Sequence, residues 1–208
     1  MLHVIRPSRG KAVVQTLFGA IQPLVWVSDM LGSQRGHAEQ WQVCLAHLLR
    51  DARYAIECGD TAFSAPFKLL LLRAVLMIGR RRQRLADTTL AQYRADPDRR
   101  LDRIMAAVPL SDPGRKLRKR IAANRSHLFV FVTNRDAPYT NNVSERHLRP
   151  SVIFRKVTNG FRCEWGTETY AAFRSVVSTA KANRASVLHV LRFVLAAKLP
   201  SEPLAEVG

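Results

Sequence analysis

The sequence is short of cysteine, of acidic groups and of long apolar runs. Its 208 residues include three cysteines, Cys44, Cys58 and Cys163. That count is odd and sparse, which excludes a disulfide scaffold and fits a reducing compartment. The longest apolar run, residues 69–78, is broken by Arg73 and is about half a membrane span. The opening MLHVIRPSRG has no apolar stretch of the kind a secretory signal needs. Internal repeats and low-complexity segments are absent. Asp and Glu number 16 against 33 Lys and Arg, a net charge of +17, and none of the 16 precedes Asp29.

What is present fits a globular chain. Apolar residues make up 47% and charged residues 24%, which excludes wholesale disorder. The length supports one good core, or two small domains at most. Composition therefore predicts a soluble, cytoplasmic, very basic protein with no membrane attachment. Such a charge favours a polyanionic partner, nucleic acid first among them. The charge is concentrated: residues 1–67 carry a net +1, residues 68–125 a net +11 and residues 126–208 a net +5. The middle block includes Arg80, Arg81, Arg82 and Arg84, then Arg115, Lys116, Arg118, Lys119 and Arg120. These residues either displace counterions from a phosphate backbone or form a solvated helix face.

Patterning gives the elements. Residues 11–20 read as a short helix. Leu24-Val25-Trp26-Val27 reads as a strand buried on both faces, ending at Ser28-Asp29. Apolar positions at helix spacing predict a helix over 37–56, stopped by Gly59-Asp60. Residues 61–125 look almost wholly helical. One long helix runs over 67–95, with Pro97 forcing a break. A second covers 101–108, and a third opens at Asp112-Pro113. Residues 126–132 are ambiguous and lean to helix. Asn142 looks like an N-cap with Glu145 three residues on, and Pro150 limits that helix. Asn159-Gly160 marks a turn. A helix over 167–183 places Tyr170, Phe173, Val176, Val177 and Ala180 on one face. Ser186 caps a last helix reaching 199, and the tail beyond it is loose.

Two carboxylates stand out. Asp29 follows a strand at the carboxyl edge where ligands gather in α/β sheets. Glu145 lies in the first turn of a helix. Together they could hold Mg²⁺ or Mn²⁺ through oxygen ligands, and paired metals activate an attacking oxygen and stabilise a leaving one. Each also has a plainer reading. Asp29 can be a turn former, and Glu145 can complete a capping box with Asn142.

The wording around them narrows the choice. Val27-Ser28-Asp29, the run from Gln42 through Cys44, His47 and Arg50 to Asp51, and Tyr139-Thr-Asn141-Asn142-Val-Ser-Glu145-Arg146-His-Leu-Arg149-Pro150 together resemble the DDE transposases of the insertion-sequence-66 group. The likeness continues through Arg155-Lys156, Gly160-Phe161-Arg162, Gly166 and Ser175 to Thr179-Ala180. It covers roughly residues 1–197, and Asn-Asn-x-x-Glu-Arg-x-x-Arg is its most specific block. The resemblance implies an α/β fold: an incomplete ribonuclease-H-like core interrupted by a mainly helical insertion. The core would span 1–60 and 138–199, the basic insertion 61–137 and a tail 200–208. It implies DNA strand cleavage and transfer at transposon ends, with Mg²⁺ or Mn²⁺ held by Asp29 (the family's second Asp) and Glu145 (its final Glu). Nucleoid association in a bacterium goes with that activity.

One departure matters. The family's first Asp lies on the opening strand of the core, and this chain has no acid before Asp29. The expectation is a truncated transposase, with residues 2–5 as a strand remnant, that binds DNA and cuts weakly or not at all. An exposed sheet edge would favour self-association, and full-length transposase is a second candidate partner. The other class of function is a non-catalytic, basic nucleic-acid-binding protein, a remnant or modulator of intact transposase.

Further candidates carry their own alternatives. Asn142, Arg146, Arg149, Arg155, Lys156 and Arg162, with Arg80, Arg81 and Arg82, would grip phosphates, or else form a solubilising face. Cys44 and His47 share a helix face and could bind zinc, but two ligands are too few, and a buried Cys beside a hydrogen-bonded His is the simpler reading. Either His47 or Arg50 could approach the site. Trp41, Trp165 and Phe173 read as core, with base stacking the alternative for Trp165. His147 reads as a surface side chain.

Overall fold

The computed structural model describes residues 1–19, 21–79 and 81–197. Among them no helix is long and apolar enough to cross a membrane. The chain divides into two compact units, Gly10–Ser144 and Met1–Arg9 with Glu145–Gly208. The described structure is mostly helical, with one small parallel sheet.

In the first unit, helix α1 (Lys11–Phe18) leads to strand β1 (Val25–Ser28), then strand β2 (Gln40–Val43). The strands pair in parallel, Val25 with Gln40 through Ser28 with Val43. This corrects the helix expected over 37–56. The helix α2 (Leu45–Glu57) begins only after β2. Trp41, Cys44 and Leu45 satisfy both periods over so short a window, and tertiary pairing with β1 decides. Gln42 is the strand's anchor. Fully buried, it donates to Leu128 O at 3.0 Å and accepts from Phe131 N at 2.9 Å. β1 is not buried on both faces: Val25, Trp26 and Val27 are half-buried and Ser28 alone is buried.

The helical stretch also breaks elsewhere than expected. Helix α3 (Ser64–Ala74) passes into a π-helical turn, Val75–Gly79. Helix α4 then runs Asp87–Met105 straight through Pro97. The ring removes one backbone donor, but i,i+4 pairs span it on both sides, Arg94 to Asp98 at 2.8 Å and Arg100 to Asp96 at 2.9 Å, and Pro97 itself is buried. Helix α5 (Asp112–Ala123) starts as its sequence dictates. Ser111 Oγ accepts from Gly114 N, and Pro113 occupies the first turn. Residues 126–132 are helical in part, with a 3₁₀ turn Arg125–His127 and a short α6 (Val130–Thr133). Trp41, Val43, Leu48, Phe63, Phe67, Leu71, Leu101, Ile121 and Phe131 share one core. Helices α3 and α5 pack on α2, and α4 packs on α3 and α6, so the basic helices share this core rather than building one of their own.

Helix α7 (Asn142–Val157) crosses from one unit into the next. Asn142 is its first helical residue rather than its cap, and the helix continues through Pro150. In the second unit α8 (Glu164–Ala182) and α9 (Val187–Ala196) follow, separated from α7 by a turn with positive φ at Asn159 and Gly160. Residues 2–5 form no strand. The N-terminal segment lies along α8, where the Met1 amine donates to Thr179 Oγ1 at 2.6 Å and His3 N to Ser175 Oγ at 2.8 Å. Arg6 pairs with Glu168. The predicted end of the last helix at 199 and the tail lie outside the described residues.

Candidate functional site

The end of β1 is a hydrogen-bonded junction. Trp41 Nε1 donates to Ser28 Oγ at 2.9 Å, and Cys44 N donates to Ser28 O at 2.8 Å. Asp29 follows, half-buried. Its Oδ1 accepts from Leu31 N at 3.1 Å, the Asx geometry that turns the chain out of the strand. The first turn of α2 is met by the connector before α7: Leu45 N donates to Tyr139 O at 2.9 Å and Asn141 N to Cys44 Sγ at 3.4 Å. The strand end carrying Asp29, the start of α2 and the approach to the Asn-Asn block therefore form one bonded unit. Otherwise exposed donors at a helix N-terminus are satisfied by the chain itself.

Asn142 is exposed, and Glu145 is half-buried in the first turn of α7, where a carboxylate is favoured by the helix dipole. Asp29 belongs to the first unit and Glu145 to the second. Arg146, Arg149, Arg155, Lys156 and Arg162 are all exposed. Among the described residues no group of three or more His, Cys, Asp and Glu gathers as a metal site. Carboxylate oxygens are nonetheless the donor type that Mg²⁺ and Mn²⁺ take.

Cys58 cannot join Cys44 and His47 in a zinc site. Cys44 is buried at the N-cap of α2, while Cys58 closes its other end, roughly 20 Å away along a helix of that length. His47 stands half-buried in the first turn. His147 is half-buried as well.

The arginine cluster separates into different roles. Arg80 lies outside the described residues, and Arg81 is exposed. Arg82, expected to grip DNA, points inward instead. The residue is 8% exposed, and its Nη1 donates to Phe131 O and Ala137 O at 2.6 Å and to Asn134 O at 3.2 Å. Burial lowers its pKa from the ordinary value, against the pull of Tyr139 and Asp136. The signal was available in the sequence: Ile78, Arg82 and Leu85 follow helix spacing, so Arg82 falls in the apolar phase. Every acid of residues 68–125 is paired: Asp87 with Arg135, Asp96 with Arg100, Asp98 with Arg94, Asp102 with Arg125, and Asp112 with Arg115 and Lys116. The surplus charge stands on Arg73, Arg81, Arg84, Arg99, Arg103 and Lys119, all exposed.

Two features escaped the sequence reading. Asp60, read as part of a helix stop, is fully buried. It accepts from Ser64 Oγ at 2.6 Å, Leu110 N at 3.0 Å and Ser64 N at 3.2 Å. Burial raises its pKa, and these bonds more than offset that and hold it below the usual carboxylate range. Trp165 and Phe173, read as core, are 72% and 48% exposed.

A basic, mainly helical α/β protein, with candidate carboxylates at a strand end and in a helix's first turn, is the class these features define. The family model described as Transposase IS66 family matches residues 1–169, a span that includes both Asp29 and Glu145. The chain belongs to that family. No curated protein and no solved structure matches it.

Proposed function

We propose that this chain is the DNA-binding and metal-binding part of a DDE transposase, acting on phosphodiester bonds at transposon ends. The observation that carries the reading is the family match over residues 1–169, which takes in both carboxylates and the Asn-Asn-x-x-Glu block. In this reading residues 1–60 and 138–199 belong to a ribonuclease-H-like core, and 61–137 are its basic helical insertion. Asp29 and Glu145 would hold Mg²⁺ or Mn²⁺, which when bound activates the attacking oxygen and stabilises the leaving one. Asn142, Arg146, Arg149, Arg155, Lys156 and Arg162 hold the phosphates beside it, and the unpaired arginines of the middle block extend the grip. Intact transposase or a second copy of the chain is the protein partner.

A second reading, a DNA-binding protein without catalysis of its own, is favoured by one observation: residues 68–125 carry a net charge of +11, which supports phosphate binding with no carboxylate involved. The test is a DNA-binding titration across salt, run beside cleavage assays with Mg²⁺ or Mn²⁺ on the wild type, Asp29→Ala and Glu145→Ala. The expected result is binding that weakens steeply with salt, by about 0.9 in log–log slope for each phosphate contacted, and metal-dependent cleavage that is lost in Asp29→Ala and Glu145→Ala. Salt-insensitive, weak binding would overturn the DNA reading. Robust cleavage that Asp29→Ala leaves intact would overturn the site.

A further inference from the structure

Where α7 ends and α8 begins, the second unit carries an open groove of about 820 Å³, within the range of ligand pockets, roughly 300–1,000 Å³. Five aromatic side chains line it: Phe154, Phe161, Trp165, Tyr170 and Phe173. Phe154 and Tyr170 stack with ring centroids 4.4 Å apart, and Phe161 sits 5.3 Å from Tyr170. These three rings make a floor. Trp165 is not part of it, being 72% exposed. A ring left that far in water contributes little to folding, and apolar patches of this kind mark binding surfaces. The positive φ at Asn159 and Gly160 turns the chain sharply between the helices and leaves the space between them open.

The charge around the groove selects the occupant. Arg162 lines it and no carboxylate does, although the exposed Glu164 is next to Trp165 in the chain. Arg155 and Lys156 are exposed on the same last turn of α7 that supplies Phe154. An apolar peptide or a second copy of the chain would need the aromatic faces but not the cations. A nucleotide needs both, since its base stacks on a ring and its phosphate meets an arginine. We propose that this groove is a stacking site for an unpaired nucleotide of single-stranded DNA, with Trp165 and the Phe154–Tyr170 pair taking the base and Arg162, Arg155 and Lys156 the flanking phosphates. The proposal rests on the DNA-binding part of the reading above and on none of its metal chemistry.

The test uses the whole chain without metal and two oligodeoxynucleotides of equal length, one of thymidines and one abasic at its central positions. Binding is read by anisotropy and by quenching of tryptophan emission. The expected result is that the thymidine strand binds about tenfold more tightly and quenches emission. Trp165→Ala should abolish that preference, while Trp165→Phe keeps most of it. An Arg155→Ala/Lys156→Ala variant should weaken both strands alike. Circular dichroism on each variant guards against unfolding. Equal binding of the two strands, with salt dependence intact, overturns the stacking site but leaves DNA binding standing. Failure of both strands to bind overturns both. A Trp165→Ala variant that changes only the oligomeric state assigns the groove to a second copy and overturns the proposal.

Discussion

The backbone N–H of Asn141 donates to the buried Sγ of Cys44 across 3.4 Å. Cys44 in turn donates its own N–H to Ser28 O, so one residue links the strand end before Asp29 with the connector that leads to α7. Cys44→Ser keeps an acceptor there and should leave stability near wild type. Cys44→Ala should lower it by about 1 kcal/mol in urea unfolding. A thiol reagent on the native chain should modify the exposed Cys58 and Cys163 quickly and Cys44 only on unfolding.

Asp60 and Gly114 are matched in the same way. A Cβ on Gly114 would overlap Asp60 Oδ2, so Gly114→Ala must displace a carboxylate that organises the starts of α3 and α5. The expected loss is about 2 kcal/mol or more by denaturant unfolding. The Asp60 pKa is depressed in the fold. Its stabilisation is therefore complete above the unfolded value of about 3.9 and is lost as pH falls through the folded value. Asp60→Asn presents an amide to donors and should be less stable at pH 7, with a flatter stability profile below pH 4.

Neighbouring arginines should respond in opposite ways. Arg82→Met leaves the carbonyls of Phe131, Asn134 and Ala137 without their donor, and should cost about 3 kcal/mol of stability. Arg81→Met, on an exposed side chain, should change stability by less than about 0.5 kcal/mol while lowering DNA affinity and its salt slope. Unfolding curves and a binding titration on the pair separate the two effects.

Two histidines make stability sensitive to mild acid. His3 is buried against Ser178, and burial, then Arg174, His147 and the N-terminus, lowers its pKa. His127, against Trp41, is lowered mainly by burial, with Arg35 adding to it and a backbone bond at Trp41 opposing it. Between each folded pKa and the unfolded value of about 6.5, the unfolded chain holds a proton that the folded chain does not. Stability should therefore fall as pH drops below about 6.5. Thermal melts between pH 7.5 and 5 should show this, and His3→Gln should flatten the share belonging to the second unit.

Much of this structure is legible in the sequence because local chemistry decides it. Ser111-Asp112-Pro113 starts α5 where a cap and a first-turn proline must, and the Asn159-Gly160 turn falls where left-handed backbone is cheapest. β2 was not legible, since Trp41-Gln42-Val43 reads as helix until β1 is beside it. Pro97 was misleading, because the ion pairs that carry α4 through it become visible only once the helix is built. Among candidate site residues, the exposure of Arg146, Arg149, Arg155, Lys156 and Arg162 fits a charged face, whereas the inward direction of Arg82 shows in the sequence only as its spacing from Ile78 and Leu85. Trp165 misled because an aromatic near helix spacing is core more often than it is a platform.

The proposed function assigns a divalent metal to Asp29 and Glu145. Calorimetric titration with Mn²⁺ of the wild type, Asp29→Asn, Glu145→Gln and the double variant tests it most directly. A shared site predicts that each single variant loses nearly as much affinity as the double, because either change dismantles the same site. Single variants that keep wild-type affinity, or losses that simply add, would contradict it.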